Sequence, residues 1–416
     1  MYIKRDIEDQ MSGFLDRPEI IAIVGPRQAG KTTLLGQLRS TFEARGKRVA
    51  MLDFEHPTEA AVFDDSDRFA ERYCATHDVV IIDEFHFARE GGKRLKLLYD
   101  AHRDRTKFVI SGSSSLELTF QTGKYLVGRY VPFLLLPFSF REYLRSVSPD
   151  LSALFGRVGH PMDEGFTPIG GSVEDELEQH FARYAVSGGY PGTVAAPEMD
   201  RQRLLRTLYD AYLLKDVREL LQLATARELQ TLAQLLAGQL GQLISATELG
   251  TSTGVGHHAL QRHLRILEQT YVIELVRPFF RNRRLEIVKN PKVYFLDTGF
   301  RNAILDAWAP LDTRADAGAL VEQCVFGGLR RQFPPPSVIR FWRSKSGAEV
   351  DFVVEPSNTP APIEVKYQHD PKFGKSFRSF LDRYAPPRAY MATRAMYRRE
   401  RIGRTDVLAA PAWYWS

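Results

Sequence analysis

The residues best suited to chemistry lie in the octapeptide GPRQAGKT, Gly25–Thr32. It fits the pattern G-x-x-x-x-G-K-[ST] and stands between an apolar run, predicted to be a strand, and the helix-like KTTLLGQLR. Glycines let successive N–H groups turn inward on a phosphate, and the helix start adds its positive dipole end. We expect Lys31 to reach the β- and γ-phosphates and the Thr32 hydroxyl to ligate Mg²⁺. The predicted nucleotide cradle consists of Gly25, Pro26, Arg27, Gln28, Ala29, Gly30, Lys31, Thr32 and Thr33.

A second candidate group ends the apolar run VVIIDE, Val79–Glu84. A buried parallel strand presents its ligand-facing groups at its carboxyl end. We expect Asp83 to hold Mg²⁺ through water and Glu84 to polarise the attacking water. The sequence therefore predicts a Mg-ATP site with Lys31, Asp83 and Glu84 as its catalytic core.

Two further catalytic candidates accompany this site. The run FVISG leads into a serine-rich segment, where Ser111, Ser113 or Ser114 could sense the γ-phosphate or position water. A serine-rich turn without catalytic role is the alternative. Arg129, just before the next apolar run, could stabilise transition-state charge as an arginine finger does, or it is a surface residue. Ser113 and Arg129 therefore join the predicted catalytic set.

A carboxylate set lies near the C-terminus. Asp351 ends SKSGAEVD, and PIEVKY places Glu364 and Lys366 on the next predicted strand, where a period of two sends both to one face. With Glu322 from a preceding helix, these acids could hold one or two Mg²⁺ ions, and the lysine could orient a water for attack on a phosphodiester. The set resembles the core of PD-(D/E)xK nucleases. A charged hairpin, or a related fold without cleavage, remains open.

A helix, a Gly-containing turn and a second helix are predicted within Ile244–Phe279. Leu260, Leu264 and Leu267 form the apolar face of the second helix, and Gln261, Arg262 and Arg265 fall on the other. The following stretch Arg277–Lys292 carries six lysines and arginines and one acid. These features predict a winged helix that contacts DNA phosphates, although winged helices also contact proteins. The predicted DNA-binding side chains are Arg262, Arg265, Arg281, Arg283 and Arg284.

Three histidines of this region, His257, His258 and His263, lack cysteine or acid partners at metal-ligand spacing. We expect them at the helix surface. Cys74 and Cys324 are isolated in the sequence, which excludes a disulfide scaffold and favours a reduced, cytoplasmic setting.

Composition separates the two halves of the chain. The 416 residues are 44% hydrophobic and 26% charged, values that exclude a disordered or fibrous chain. The net charge of +5 is uneven: residues 1–200 hold 24 lysines and arginines against 30 acids, and residues 201–416 hold 32 against 21. A polyanion, if bound, is therefore expected at the second half.

Membrane insertion and export are not predicted. The start MYIKRDIEDQ contains acids, and neither an apolar core nor a small-residue cleavage site follows it. The most apolar stretch, VPFLLLPF at Val131–Phe138, is far shorter than the roughly 20 residues of a membrane-spanning helix. We expect it to be a buried strand.

The order of apolar runs and helical stretches along the chain predicts an α/β architecture in four parts. Short apolar runs alternate with helical stretches before residue 140, which predicts a parallel sheet with covering helices and strands at Ile20–Val24, Arg48–Phe54, Val79–Asp83, Lys107–Ser111 and Val131–Leu136. With the motif at Gly25–Thr32, this is the sheet expected of a P-loop NTPase. The expected domains are an ATPase at 1–155, a helical lid or linker at 156–240, a winged helix at 241–300 and a restriction-endonuclease-like α/β domain at 301–416.

Taken in order, the motifs resemble bacterial and archaeal AAA-type ATP-binding proteins that pair an N-terminal ATPase with a C-terminal domain of unknown function. The resemblance rests on GPRQAGKTT, VVIIDEFH, SGSSS, LVGRYVPFLLLPFSFREYL, SGGYPG, KVYFLDTGF and the tail GALVEQ, EVDFVV and PIEVK. It implies an ATPase of the AAA+ superfamily followed by a winged helix and a nuclease-like module. The segment FHFARE contains no pattern that identifies a substrate.

Two functions remain open from the sequence. The preferred hypothesis is a Mg-ATP-dependent ATPase whose nucleotide cycle controls a DNA-engaging C-terminal half, with DNA cutting by that half left open. The alternative is a nucleotide-switched protein that binds a protein partner and keeps the nuclease-like fold as a scaffold. A homo-oligomer is compatible with both, because an arginine acting in trans would come from a neighbouring copy.

Overall fold

The computed structural model describes residues 2–112, 125–217, 227–280 and 289–416. The chain forms two compact units, one made of Met1–Pro137 with Gln269–Tyr271 and the other of Phe138–Glu268 and Val272–Ser416. The first boundary thus falls at Pro137, not near residue 155. The regions expected as three further domains belong to one unit.

The first unit is built on five parallel strands in the order β2-β3-β4-β1-β5. The strands are β1 (Ile20–Val24), β2 (Val49–Asp53), β3 (Val79–Asp83), β4 (Lys107–Gly112) and β5 (Tyr130–Leu134). The helices are α1 (Ile7–Ser12), α2 (Lys31–Ala44), α3 (Pro57–Phe63), α4 (Ser66–Phe69) and α5 (Gly91–His102). All five strands predicted from the sequence are confirmed within two residues at each end.

Both faces of this sheet are apolar and covered. Along β1, Ile20 and Ala22 belong to one core cluster and Ile21 and Ile23 to the other. This alternation is what strands with helices on both faces require. β5 is an edge strand that contains the exposed Pro132, so it is only partly buried, contrary to the expectation for Val131–Phe138.

The second unit combines helices with an eight-stranded sheet in the order β12-β13-β11-β10-β9-β8-β6-β7. Its strands are β6 (Ile273–Pro278), β7 (Lys292–Phe295), β8 (Arg340–Arg343), β9 (Glu349–Val354), β10 (Ala361–Lys366), β11 (Arg388–Thr393), β12 (Arg398–Ile402) and β13 (Thr405–Pro411). Its helices are α6 (Phe140–Val147), α7 (Pro149–Phe155), α8 (Val173–Ser187), α9 (Pro191–Val194), α10 (Glu198–Tyr209), α11 (Arg227–Gly238), α12 (Ala246–Thr253), α13 (His257–Gln269), α14 (Thr298–Leu305), α15 (Ala317–Gln332) and α16 (Lys375–Tyr384).

The antiparallel pair β6–β7 is continuous with the C-terminal sheet, since β6 also pairs with β8 in parallel. The helix-turn-helix α12–α13 precedes this pair directly. Phe377 and Phe380 of α16 cover one face of the sheet, where Phe380 packs against Trp342 of β8. α15 packs against β7 and β10. The region predicted as a separate wing therefore supplies side chains to the same sheet as Asp351 and Glu364.

Within the part of the chain that the structure describes, no helix has both the length and the apolar character needed to cross a membrane.

Candidate functional site

The loop Gly25–Thr32 connects the carboxyl end of β1 to the start of α2. Gly25 has a φ of 157°, and a Cβ placed there would lie 2.0 Å from the carbonyl oxygen of Leu135. Gly30 precedes α2 with a φ of 97°. Both positions need glycine, because a side chain would clash or be strained. The two glycines of the phosphate-binding motif are therefore required by the backbone of this loop.

Lys31 is buried at the base of this loop. Its Nζ donates hydrogen bonds to the carbonyl oxygens of Gly25 at 3.2 Å and Pro26 at 3.1 Å. Burial lowers the pKa of Lys31, and the nearby Glu84 and Asp83 carboxylates partly offset that effect. A phosphate oxygen would give this ammonium the anionic hydrogen-bond partner that the two carbonyls do not supply.

Thr32 and Asp83 come together across the edge of the sheet. The Thr32 Oγ1 donates to Asp83 Oδ2 at 2.6 Å. The Ser111 hydroxyl, at the carboxyl end of β4, donates to Asp83 Oδ1. This contact exists because β4 lies between β1 and β3. A hydroxyl and a carboxylate held side by side are the oxygen donors that Mg²⁺ prefers, so these residues fit the ion that the motif implies.

Glu84 follows β3 in a left-handed conformation, with a φ of 47°. Its backbone N–H donates to Asp83 Oδ1 at 3.0 Å and to Ser111 Oγ at 3.2 Å. Its carboxylate Oε2 lies 3.1 Å from Nδ1 of His86. Non-glycine residues in this conformation cost about 1–3 kcal/mol and cluster at functional sites. The turn places Glu84 directly after the carboxyl end of β3.

Two residues that support this site were not predicted. Arg5 is buried, and its guanidinium donates to the carbonyl oxygens of Ala29 at 2.8 Å and Leu136 at 2.5 Å. Through the contact with Ala29, Arg5 anchors the Gly25–Thr32 loop. His86 pairs with Glu84. Arg5 lies outside every quoted motif, and His86 lies within VVIIDEFH without a predicted role, because sequence spacing does not show the contacts of either residue.

The two remaining catalytic candidates have different outcomes. Ser113 lies outside the described residues. The prediction that the Arg129 side chain faces the phosphates of its own chain is wrong. It precedes β5, and its carbonyl accepts from the N–H of Ile20, the first residue of β1. In a parallel sheet this is the amino edge, opposite to the loop, and there Arg129 pairs with Asp100 at 2.7 Å.

Acidic side chains of the second unit lie close together around a lysine, Lys292. Lys292 of β7 is buried, with its Nζ 2.6 Å from Glu349 Oε1, 3.6 Å from Glu322 Oε1 and 3.9 Å from Asp351 Oδ1. Lys366 Nζ lies 2.9 Å from Glu364 Oε1. We call Lys292, Glu322, Glu349, Asp351 and Glu364 the acid cluster.

Burial governs the titration of the acid cluster. It raises the pKa of Glu322 and of Glu364 to about 7 each, and the charge of Asp351 adds to both shifts. Burial would lower the pKa of Lys292, but Glu322, Asp351 and Glu349 together raise it. The lysine therefore stays charged at neutral pH.

The predicted metal site of Glu322, Asp351 and Glu364 is not borne out. Over residues 2–112, 125–217, 227–280 and 289–416, no three acid, histidine or cysteine side chains are arranged to hold a metal ion. The physical reason is the ammonium of Lys292, which occupies the space between the acids. The sequence assigned this lysine to a DNA-binding wing.

On α13, the predicted faces are observed with one exception. Leu260, Leu264 and Leu267 are buried, and Arg262 and Arg265 are exposed. His263 is buried, 5% exposed, which corrects its expected surface position. Arg281, Arg283 and Arg284 lie outside the described residues.

Comparison with known proteins divides the chain into three matched segments. A family model described as an AAA domain matches residues 17–144. Two described as domains of unknown function, DUF8612 and DUF4143, match residues 178–310 and 317–413. The parallel-sheet α/β region of the first unit is thus similar, over the matched residues 17–144, to AAA domains.

Two curated relatives are similar to this chain over most of its residues. An uncharacterized protein of Mycobacterium tuberculosis is 27% identical over 91% of this chain and 77% of its own length. An uncharacterized protein of Haemophilus influenzae is 24% identical over 88% of this chain and 87% of its own length.

Two solved structures to which the chain is similar have low TM-scores. The replication initiator DnaA bound to AMPPCP and single-stranded DNA is 12% identical, covering 64% of this chain and 90% of its own, with a TM-score of 0.32. The Aeropyrum pernix ORC2 protein in its ADP form is 12% identical, covering 74% and 95%, with a TM-score of 0.34. Scores this low carry no argument about function.

Proposed function

We propose that this protein is a Mg-ATP-dependent ATPase whose nucleotide cycle controls DNA binding by its second unit. The observation that carries the ATPase part is the convergence of Lys31, Thr32 and Asp83 at one edge of the sheet. The match of an AAA domain to residues 17–144 supports it independently.

In this proposal the loop amides and Lys31 bind the phosphates of ATP. Thr32, and Asp83 through water, would hold Mg²⁺, which would supply positive charge against the phosphate oxygens. Ser111 orients Asp83 by its hydrogen bond. Glu84 orients the attacking water and accepts its proton, and His86 fixes the direction of the Glu84 carboxylate. Hydrolysis then depends on the alignment of the water with the γ-phosphate.

Phosphate release from Mg-ATP tests the ATPase part. Lys31→Ala removes the phosphate-binding cation, and Glu84→Gln removes the proton acceptor, so each is expected to lower turnover by at least about a hundredfold. Lys47→Ala is the matched control, because Lys47 is an exposed lysine before β2 at the opposite edge of the sheet. Turnover that survives both site substitutions would refute the proposed site.

The DNA part rests on the exposed face of α13. Arg262 and Arg265 project from a helix that follows a helix and a turn and precedes an antiparallel strand pair, the element order of a winged helix. The excess of 32 lysines and arginines over 21 acids in residues 201–416 favours a polyanion. Affinity for duplex DNA should therefore fall steeply as salt rises. Affinity that is independent of salt would contradict contact with DNA phosphates.

The acid cluster favours a second candidate function. An ammonium between the acids is incompatible with the metal-dependent cleavage that a nuclease would perform, and it suits a nuclease-like fold kept as a scaffold. The protein would then be a nucleotide-switched interaction module. It should leave plasmid DNA intact in Mg²⁺ or Mn²⁺ and change its mass or partner binding with ATP. Cleavage that Asp351→Ala abolishes would exclude this candidate.

A further inference from the structure

The acid cluster draws its members from four elements of the second unit. Glu322 comes from α15, Glu349 and Asp351 from β9, and Glu364 from β10. Lys292 enters from β7, at the edge of the same sheet. It is 3% exposed, and its Nζ lies within 4.0 Å of three of the four carboxylates. The Lys292 ammonium is thus the cation that these three carboxylates share.

Most oxygens of the acid cluster are already engaged by the protein. The Tyr294 hydroxyl donates to Glu322 Oε1 at 2.5 Å. The Val365 N–H donates to Asp351 Oδ2 at 2.8 Å, and Lys366 Nζ forms an ion pair with Glu364 Oε1. Within the described ranges, Glu364 Oε2 is buried and has no hydrogen-bond partner. One orphaned oxygen does not make a divalent site, which takes about six oxygens at 2.0–2.6 Å.

The ammonium also excludes a second cation by its charge. A divalent ion coordinated by Asp351 and Glu364 would lie a few ångströms from Lys292 Nζ in a buried environment. Repulsion at that distance is several-fold stronger than in water. The residues present therefore do not fit the metal that a nuclease-like fold implies.

We infer that Lys292 is the resident cation of the acid cluster, a covalently attached substitute for a divalent metal that closes this site in the native chain. The inference goes beyond the proposed function. It concerns a site in the second unit alone, so its failure would leave the nucleotide site untouched.

Titration of the full chain with Mn²⁺ in the absence of nucleotide, with the heat of binding measured by calorimetry, tests this inference. Lys292→Met keeps a long unbranched side chain, one atom shorter than lysine, and removes the charge, so it should create a site that binds one Mn²⁺ at least about a hundredfold more tightly than the wild type does. Adding Asp351→Asn should abolish the gained site. Lys289→Met is the matched control, since Lys289 is exposed three residues away, and it should bind like the wild type.

Two results would overturn the inference. One is wild-type binding of Mn²⁺ that Asp351→Asn removes, because the native site would then be open. The other is a folded Lys292→Met chain that gains no Mn²⁺. If Lys292→Met does not fold because its acids are left uncompensated, Lys292→Met with Glu349→Gln restores the charge balance and must show the gained site. Folding of Lys292→Met only when Mn²⁺ is added would support the inference directly.

Discussion

At the scale of single residues, Asp83 depends on the donors that surround it. Thr32, Ser111 and the Glu84 N–H all donate to its carboxylate. Ser111→Ala removes one of them and lets the carboxylate rotate, so Mg-ATP turnover should fall by roughly tenfold. The measurement is phosphate release across Mg²⁺ concentrations. Ser40→Ala, an exposed serine on α2, should behave like the wild type. An unaffected Ser111→Ala enzyme would show that Ser111 does not position Asp83.

Glu364 makes the stability of the protein depend on pH. Its pKa is raised from 4.5 to about 7 by burial and by Asp351, so the folded state holds a proton that the unfolded state has lost. Stability from this group is therefore lost as pH rises from about 4.5 to about 7. Glu364→Gln cannot ionise, so its stability relative to the wild type should increase over this window by about 3 kcal/mol.

Urea unfolding of the wild type and Glu364→Gln between pH 4.5 and 8 measures this difference. A difference that does not change with pH would contradict the burial of an ionisable Glu364. Lys366→Met offers a contrast, because it removes the partner of Glu364 Oε1 and should raise the pKa of that acid further.

At the scale of elements, α15 shows why two glycines of one helix differ. A Cβ at Gly328 would lie 1.6 Å from the carbonyl oxygen of Trp415, in the short turn Ala412–Trp415 that packs on the helix. Gly328→Ala should destabilise the second unit by at least about 2 kcal/mol. Gly318, on the same helix, has nothing within 4 Å of such an atom. Gly318→Ala should change stability by less than about 1 kcal/mol. Equal thermal unfolding of the two variants would contradict this packing.

α13 is the element on which the DNA proposal depends. Arg262→Ala and Arg265→Ala should each weaken duplex binding and reduce the slope of log affinity against log salt by about 1. Fluorescence anisotropy over a salt series measures both quantities. Arg203→Ala on α10 is an exposed control and should leave the slope unchanged. An unchanged slope in the α13 variants would assign DNA contact to another surface.

At the scale of the whole molecule, local patterns predicted the first unit better than the second. The strands of the parallel sheet and the Gly25–Thr32 loop were predicted because each is specified by a short run of residues. Arg129 was misplaced because its contacts depend on which edge of the sheet it reaches. Lys292 was read as part of a basic wing, since only the pairing of β6 with β8 brings it to the acids. β11, β12 and β13 were not predicted, and they complete the sheet from residues after 387.

The link between the two units is the central claim, and ATP turnover with and without duplex DNA at low salt tests it most directly. We predict that DNA changes the turnover of the wild type, and that the double substitution Arg262→Ala and Arg265→Ala removes this change while basal turnover stays the same. Raising the salt should remove it as well, because phosphate contacts are lost. The contradicting result is ATP turnover that is unchanged by DNA at low salt, although Lys31→Ala abolishes it. Nucleotide would then not control DNA binding.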